Sequence, residues 1–256
     1  MIRTFVIRAA LLSLLSASVQ SDVIRLRADE WFPMNGKPGS EQPGYMIEIA
    51  RTIWEEAGHQ VEYRLMPWER AIDETRQGRA ECIVGAYHED APDFVFPQLT
   101  LGLDDNHFYV LAANPWRFRA IADLNTVRLG VIGGYAYDNG ELDAYIEQNQ
   151  HNGARLQIVR SGKALQQNIR KLLTQRIDAL VESPAVMQAQ LKQMELSESV
   201  INAGMIGKQT PLYIACSPVI PAVSEYLQQL DAGLKRLRND GRLEAILNRY
   251  GLHDWQ

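Results

Sequence analysis

Short strand-like runs alternate with segments of helical spacing along nearly the whole chain, and this alternation limits the fold more than any single motif. Val23–Ala28 alternates polar and apolar residues, after which Met46, Ile49, Ile53 and Trp54 recur at helical spacing until Gly58. Residues 61–66 read as a second strand, and Pro67 opens a helix at the first-turn position it favours, running to about Gly78. Cys82–Ala86 reads as a third strand and residues 107–112 as a fourth. Asn114, Pro115 and Trp116 then suggest a crossing between two units. A second series follows: strands over 127–132, 156–159 and 177–181, with helices over 141–148, 163–173 and from Pro184. Residues 211–216 form a last strand, and two closing helices carry Val223, Leu227, Leu230, Leu234 and Leu237, then Leu243, Ile246 and Leu247. Such alternation predicts parallel sheets covered by helices. Two units joined by two crossings predict a crevice outside the carboxyl ends of the strands, where ligands of such sheets sit.

Charge and the N-terminus narrow the class further. A net charge of −5 without any basic run excludes a phosphate-binding nucleic-acid surface. Arg3 and Arg8 precede a short apolar run, residues 9–15, that ends in Ser16, Ala17 and Ser18. This is the pattern of a secretory signal over residues 1–20, cleaved near 18–20; a membrane anchor would need ~20 apolar residues. The chain has 2 cysteines, Cys82 and Cys216, both in apolar strand-like runs. Buried free thiols are the preferred reading, and a disulfide is the alternative in an oxidising compartment. The 5 histidines show no ligand spacing, so neither a metal nor another cofactor is expected.

Four stretches give the pattern a resemblance. Gly44-Tyr45-Met46-Ile47-Glu48 is a helix start after a Gly/Pro-rich loop. Pro67-Trp68-Glu69-Arg70 leads to the turn Gly78-Arg79-Ala80-Glu81. Leu129-Gly130-Val131-Ile132-Gly133-Gly134-Tyr135 is a strand and glycine turn, and a closing helix runs from Gly241-Arg242-Leu243 to Tyr250-Gly251-Leu252. Together they resemble the type II periplasmic solute-binding proteins, in the amino-acid ABC-transporter branch. The resemblance implies an α/β, two-lobed periplasmic-binding-protein-like fold: two sheets covered by helices with a ligand crevice between the lobes. Lobe I would comprise 21–112 and 211–256, and lobe II 113–210. It also implies an exported, monomeric periplasmic protein that closes on a small-molecule solute and serves an inner-membrane ABC permease or a sensor protein.

The resemblance also selects candidate ligand-binding residues. From lobe I these are Glu30, Trp31 and Phe32 after the first strand, Trp68 and Arg70 at a helix start, and Ala86, Tyr87 and His88 after the third strand. From lobe II come Gly134, Tyr135, Ala136 and Tyr137, with backbone N–H groups at a helix start suited to an anionic group. Glu182 would take the ligand's ammonium. Each has a plainer reading: Trp31 or Trp68 as core, Arg70 as a solvated charge, the tyrosines as cover for a sheet edge, Glu182 as a carboxylate at a helix start. The chain departs from the family at two places. Asp90 stands where the family carries an arginine for the ligand's α-carboxylate, and Ala136 where it carries Thr or Ser. Either Arg70 takes over, or the ligand has no such carboxylate. Asp90 and Glu182 among aromatic rings would suit a cation, whereas Asp90 to Asp93 also reads as a polar turn.

Two other functions share this fold. A dehydratase of the cyclohexadienyl or arogenate type would use Glu182 or Glu30 as general acid, with His88 as a further candidate. A periplasmic sensor module would use the same closure to signal. No nucleophile–base pair or phosphate loop demands catalysis, so a binding protein is the leading expectation.

Overall fold

The computed structural model describes residues 22–256, and the expected signal segment lies outside them. Strands β1 Val23–Ala28, β2 Gln60–Leu65 and β3 Cys82–Ala86 alternate with helices α1 Tyr45–Glu56 and α2 Trp68–Arg76. The long strand β4 Gly102–Leu111 leads into the second series. This comprises β5 Leu129–Ile132, α3 Glu141–Asn149, β6 Leu156–Val159, α4 Ala164–Leu173, β7 Ala179–Glu182 and α5 Pro184–Gln193. Strand β8 Val200–Cys216 returns, and α6 Val223–Asn239 and α7 Arg242–Asn248 close the chain.

The strand order is β2-β1-β3-β8-β4-β7-β5-β6. One lobe is built on β2-β1-β3 and the other on β7-β5-β6, each with parallel pairs between its own strands. β4 and β8 run antiparallel to each other from Gly102↔Leu212 to Leu111↔Val200 and make the two expected sheets continuous. Both strands are longer than their sequence predicts. Asp104 and Asp105 in β4, and Gly204 to Pro211 in β8, break the alternation that marks a strand with one dry face. Paired backbone across the junction holds them extended instead, with register shifts at Asp104/Asn106 and Phe108/Tyr109.

Each lobe has its own apolar support. In the first, α1 buries Met46, Ile47, Ile49, Ile53 and Trp54 against the sheet and α6, and the Trp54 indole donates to the Tyr226 carbonyl at 2.9 Å. In the second, Phe108, Leu129, Val131 and Val181 form a cluster with Leu142 of α3. Burial of side chains this size contributes roughly 1.5–3 kcal/mol each.

The cysteines differ from the preferred reading. Cys82 and Cys216 are direct partners in the antiparallel β3–β8 pair and form a disulfide. The sequence could not supply this pairing because the strands lie 134 residues apart and only the return of β8 beside β3 brings the thiols together.

Candidate functional site

The carboxyl ends of β1, β3, β5 and β7 converge between the lobes and set side chains around one cavity. Asp29, Trp31, Trp68, Gly85, Tyr87, Asp90, Asn106, Tyr135, Ala136 and Glu182 line it. The space is almost closed: about 20 Å³ stays open to the centre of a water molecule, room for about one water. Two glycines let the walls meet. Gly85 has φ +87, and a Cβ there would lie 2.9 Å from Asn35 Oδ1 and 3.2 Å from the Trp31 ring, so its absence seats Trp31 over β3. Gly134, at φ +81, receives the Glu69 side chain of α2 so closely that no Cβ would fit.

Hydrogen bonds made by the protein's own side chains cross between the lobes. The Trp31 indole N–H donates to Glu182 Oε1 at 2.8 Å, and the Tyr135 hydroxyl donates to Asp29 Oδ2 at 2.5 Å. Asp90 accepts the Tyr87 N–H at 2.8 Å on one oxygen, and on the other the Ala136 N–H at 3.0 Å and the Trp68 indole at 3.3 Å. Behind Tyr87, Asp104 accepts from the Tyr87 hydroxyl at 2.7 Å and from Ser183 Oγ at 2.5 Å. Asn106 of β4 donates to the Tyr137 carbonyl at 2.7 Å. At the rim, Arg160 pairs with Glu69 at 3.0 Å, an exposed contact worth at most about 1 kcal/mol.

The electrostatics are one-sided. Among the described residues no Lys, Arg or His lines the cavity, while three carboxylates do and Asp104 stands just behind. Burial pushes Glu182 up to about 8 against the pull of Trp31 and the Ser183 N–H, and Asp104 and Asp29 push it the same way. Burial likewise raises Asp29 and Asp104 to about 6, although hydrogen bonds from Tyr135 and from Ser183 and Tyr87 oppose the rise. Asp90 is raised by burial to about 7 against its three N–H donors. The second oxygen of Glu182 is buried without a hydrogen-bond partner. A lone acceptor of this kind costs about 1–3 kcal/mol, and more when charged.

The structure brings Trp31, Trp68, Tyr87, Tyr135, Ala136 and Glu182 to the cavity and leaves the other candidates elsewhere. Arg70 is largely exposed and pairs with Glu74 one turn along α2, so it does not replace the missing arginine. Glu30 faces a neighbouring recess with Lys163 and lies 3.8 Å from Lys37. Phe32 packs on Tyr250, and His88 stacks on Phe96 with centroids 3.9 Å apart. Ala86 is buried under α2, and Gly134 borders an outer groove. Tyr137 is buried in the second lobe, its hydroxyl accepting the Ile132 N–H. The expected helix start at 134–137 is a loop, because α3 begins at Glu141. Its N–H groups are already taken: Ala136 by Asp90, and Tyr137, Asp138 and Asn139 by Asp143. Glu182 also keeps its plainer role, accepting the Ser183 N–H at 2.9 Å beside the start of α5.

Asp29, Gly85 and Asn106 line the cavity without having been selected from sequence. Asp29 carried a signal, since it is the first residue past β1; Asn106 carried none, because it lies in the crossing strand.

No protein-family model matches the chain, and no curated protein matches it. Solved structures do. A variant of ArgBP from T. maritima superposes with a TM-score of 0.73 at 14% identity, over 89% of this chain and 94% of that one. A putative L-cystine ABC transporter from Listeria monocytogenes gives 0.72 at 17% identity, over 92% and 99%. A histidine kinase sensor domain with similarity to periplasmic binding proteins gives 0.71 at 20%, over 91% and 97%. At these identities the likeness bears on the fold, and it agrees with the strand order and the shared β4–β8 junction: the chain has the two-lobed, periplasmic-binding-protein-like fold of type II.

Proposed function

We propose that this protein is a periplasmic, monomeric, non-catalytic receptor that captures a small polar organic solute by closing its two lobes around it. Lobe I would comprise 21–112 with 211–256, lobe II 113–210, and β4 and β8 would form the hinge between them. The observation that carries the reading is the cavity at the strand ends, whose polar groups pair across the two lobes. A ligand bridging the same groups would favour the closed form through contacts that only that form makes. The closed form would be presented to an inner-membrane ABC permease. A signalling partner is the second reading, supported by the likeness to a histidine kinase sensor domain.

Thermal-shift measurements with amino acids, amines, small anions and sugars test the proposal. A solute bound at 100 times its Kd stabilises the folded chain by about 2.7 kcal/mol, and small-angle scattering should show a more compact particle with it. A well-folded protein that none of these solutes stabilises would refute the receptor reading.

A further inference from the structure

Resting on the solute-receptor reading, we infer that the cavity accepts an organic cation without a carboxylate: an aliphatic amine or guanidine whose charged nitrogen meets Glu182 and Asp29 beneath the rings of Trp31, Trp68 and Tyr135. The first ground is an acceptor that lacks a donor. Glu182 is 2% exposed and lines the cavity, and its Oε2 is buried without a hydrogen-bond partner. A ligand N–H would complete it, and a positive charge would offset the mutual repulsion of Glu182, Asp29 and Asp104.

The second ground is the fate of the N–H groups an anion would need. Asp90 already occupies the Ala136 and Tyr87 N–H groups, Glu182 the Ser183 N–H, and Asp143 the three that follow Ala136. The protein's own Asp90 carboxylate thus sits on the second-lobe turn. A ligand carboxylate would meet acidic neighbours and, among the described residues lining the cavity, no Arg, Lys or His to offset them.

The closed cavity holds about one water, so a ligand enters by displacing the self-made bonds. An ammonium or guanidinium can replace the Trp31 N–H on Glu182 and the Tyr135 hydroxyl on Asp29, donor for donor, and the edge-to-face rings of Trp68 and Tyr135 (centroids 6.2 Å apart) line the same cavity. No three His, Cys, Asp or Glu side chains among the described residues converge to hold a metal ion, which favours an organic cation.

Matched pairs that differ only by the carboxylate test this: agmatine against arginine, putrescine against ornithine, cadaverine against lysine, each titrated calorimetrically into the full protein at pH 8. At least one amine should bind at micromolar Kd or tighter, with its amino-acid partner weaker by on the order of 100-fold, as like-charge juxtaposition costs several kcal/mol. Glu182→Gln should weaken that amine at least tenfold while melting cooperatively. Asp29→Asn should do the same, so a fault in one variant's folding does not decide the matter. An amino acid that binds as tightly as its amine overturns the inference and leaves the receptor reading standing. Failure of every amine also overturns it; failure of every amino acid, anion and sugar as well brings down the receptor reading too.

Discussion

Replacing Glu182 by Gln should make the unliganded protein more stable at neutral pH, and progressively so as pH rises. Gln keeps a carbonyl for the Trp31 and Ser183 donors but never ionises. The wild-type acid has its pKa raised by burial from 4.5 to about 8, so the folded state binds the proton more tightly than the unfolded state. Its contribution is therefore whole below about 4.5 and is lost as pH climbs through about 8. At 1.36 kcal/mol per unit, the loss between pH 4.5 and 7 is about 3 kcal/mol. Opening of the cleft rehydrates the carboxylate and sets this as a ceiling. Urea unfolding or melting at several pH values, comparing variant with wild type, reads the effect. The stability difference should grow in the variant's favour by up to about 3 kcal/mol from pH 4.5 to 7, or ~6–12 °C in Tm for a chain of this size. Any constant offset from repacking cancels in that comparison. A difference that stays flat with pH, or shrinks as pH rises, would refute the claim that Glu182 is held in a dry, acid-rich cleft.

Three further outcomes follow from the same geometry. Amine binding should strengthen from pH 6 to 8 as Asp29, Asp90, Asp104 and Glu182 ionise, and isothermal titration in buffers of differing ionisation enthalpy should detect proton release; Glu30 acts on Asp29 and Asp105 on Asp104, Lys163 lines the adjoining recess, the Glu69–Arg160 pair stands at the rim, and the buried Tyr87, Tyr135 and Tyr137 stay neutral. Replacing both Cys82 and Cys216 by Ser should cost up to about 5 kcal/mol in urea unfolding, because the bridge closes a loop of 134 residues that contains the whole second lobe; an unchanged midpoint would contradict it. Gly85→Ala should cost about 1–2 kcal/mol at its positive φ and push the Trp31 ring off β3, changing tryptophan emission and weakening solute binding.

Most of the scaffold was legible because its strands and helices are locally consistent. Val23–Ala28, Cys82–Ala86 and Leu156–Val159 form where alternation and apolar runs place them, and Pro67 and Pro184 mark the starts of α2 and α5. The crossing strands were under-read because their extension comes from pairing with each other, and Gly204, Gly207 and Pro211 disguise it. Trp31, Tyr87, Tyr135 and Glu182, candidates chosen by the resemblance together with their places at or just past strand ends, line the cavity. Arg70 shows the limit of that approach: two residues into α2, helical phase turns it toward Glu74 and solvent while Trp68 faces the cavity. The disulfide and the docking of Asp90 on Ala136 depend on long-range proximity, which no local pattern encodes.

A solute held between the lobes would replace the Trp31–Glu182 and Tyr135–Asp29 bonds. Tryptophan emission during titration with a bound solute reports this directly, since Trp31 and Trp68 line the cavity. A saturable change is expected at the calorimetric Kd, nearly abolished in a Trp31→Phe, Trp68→Phe double variant. Calorimetric binding with no emission change, or a change that survives in the double variant, would place the solute outside the cavity between the lobes.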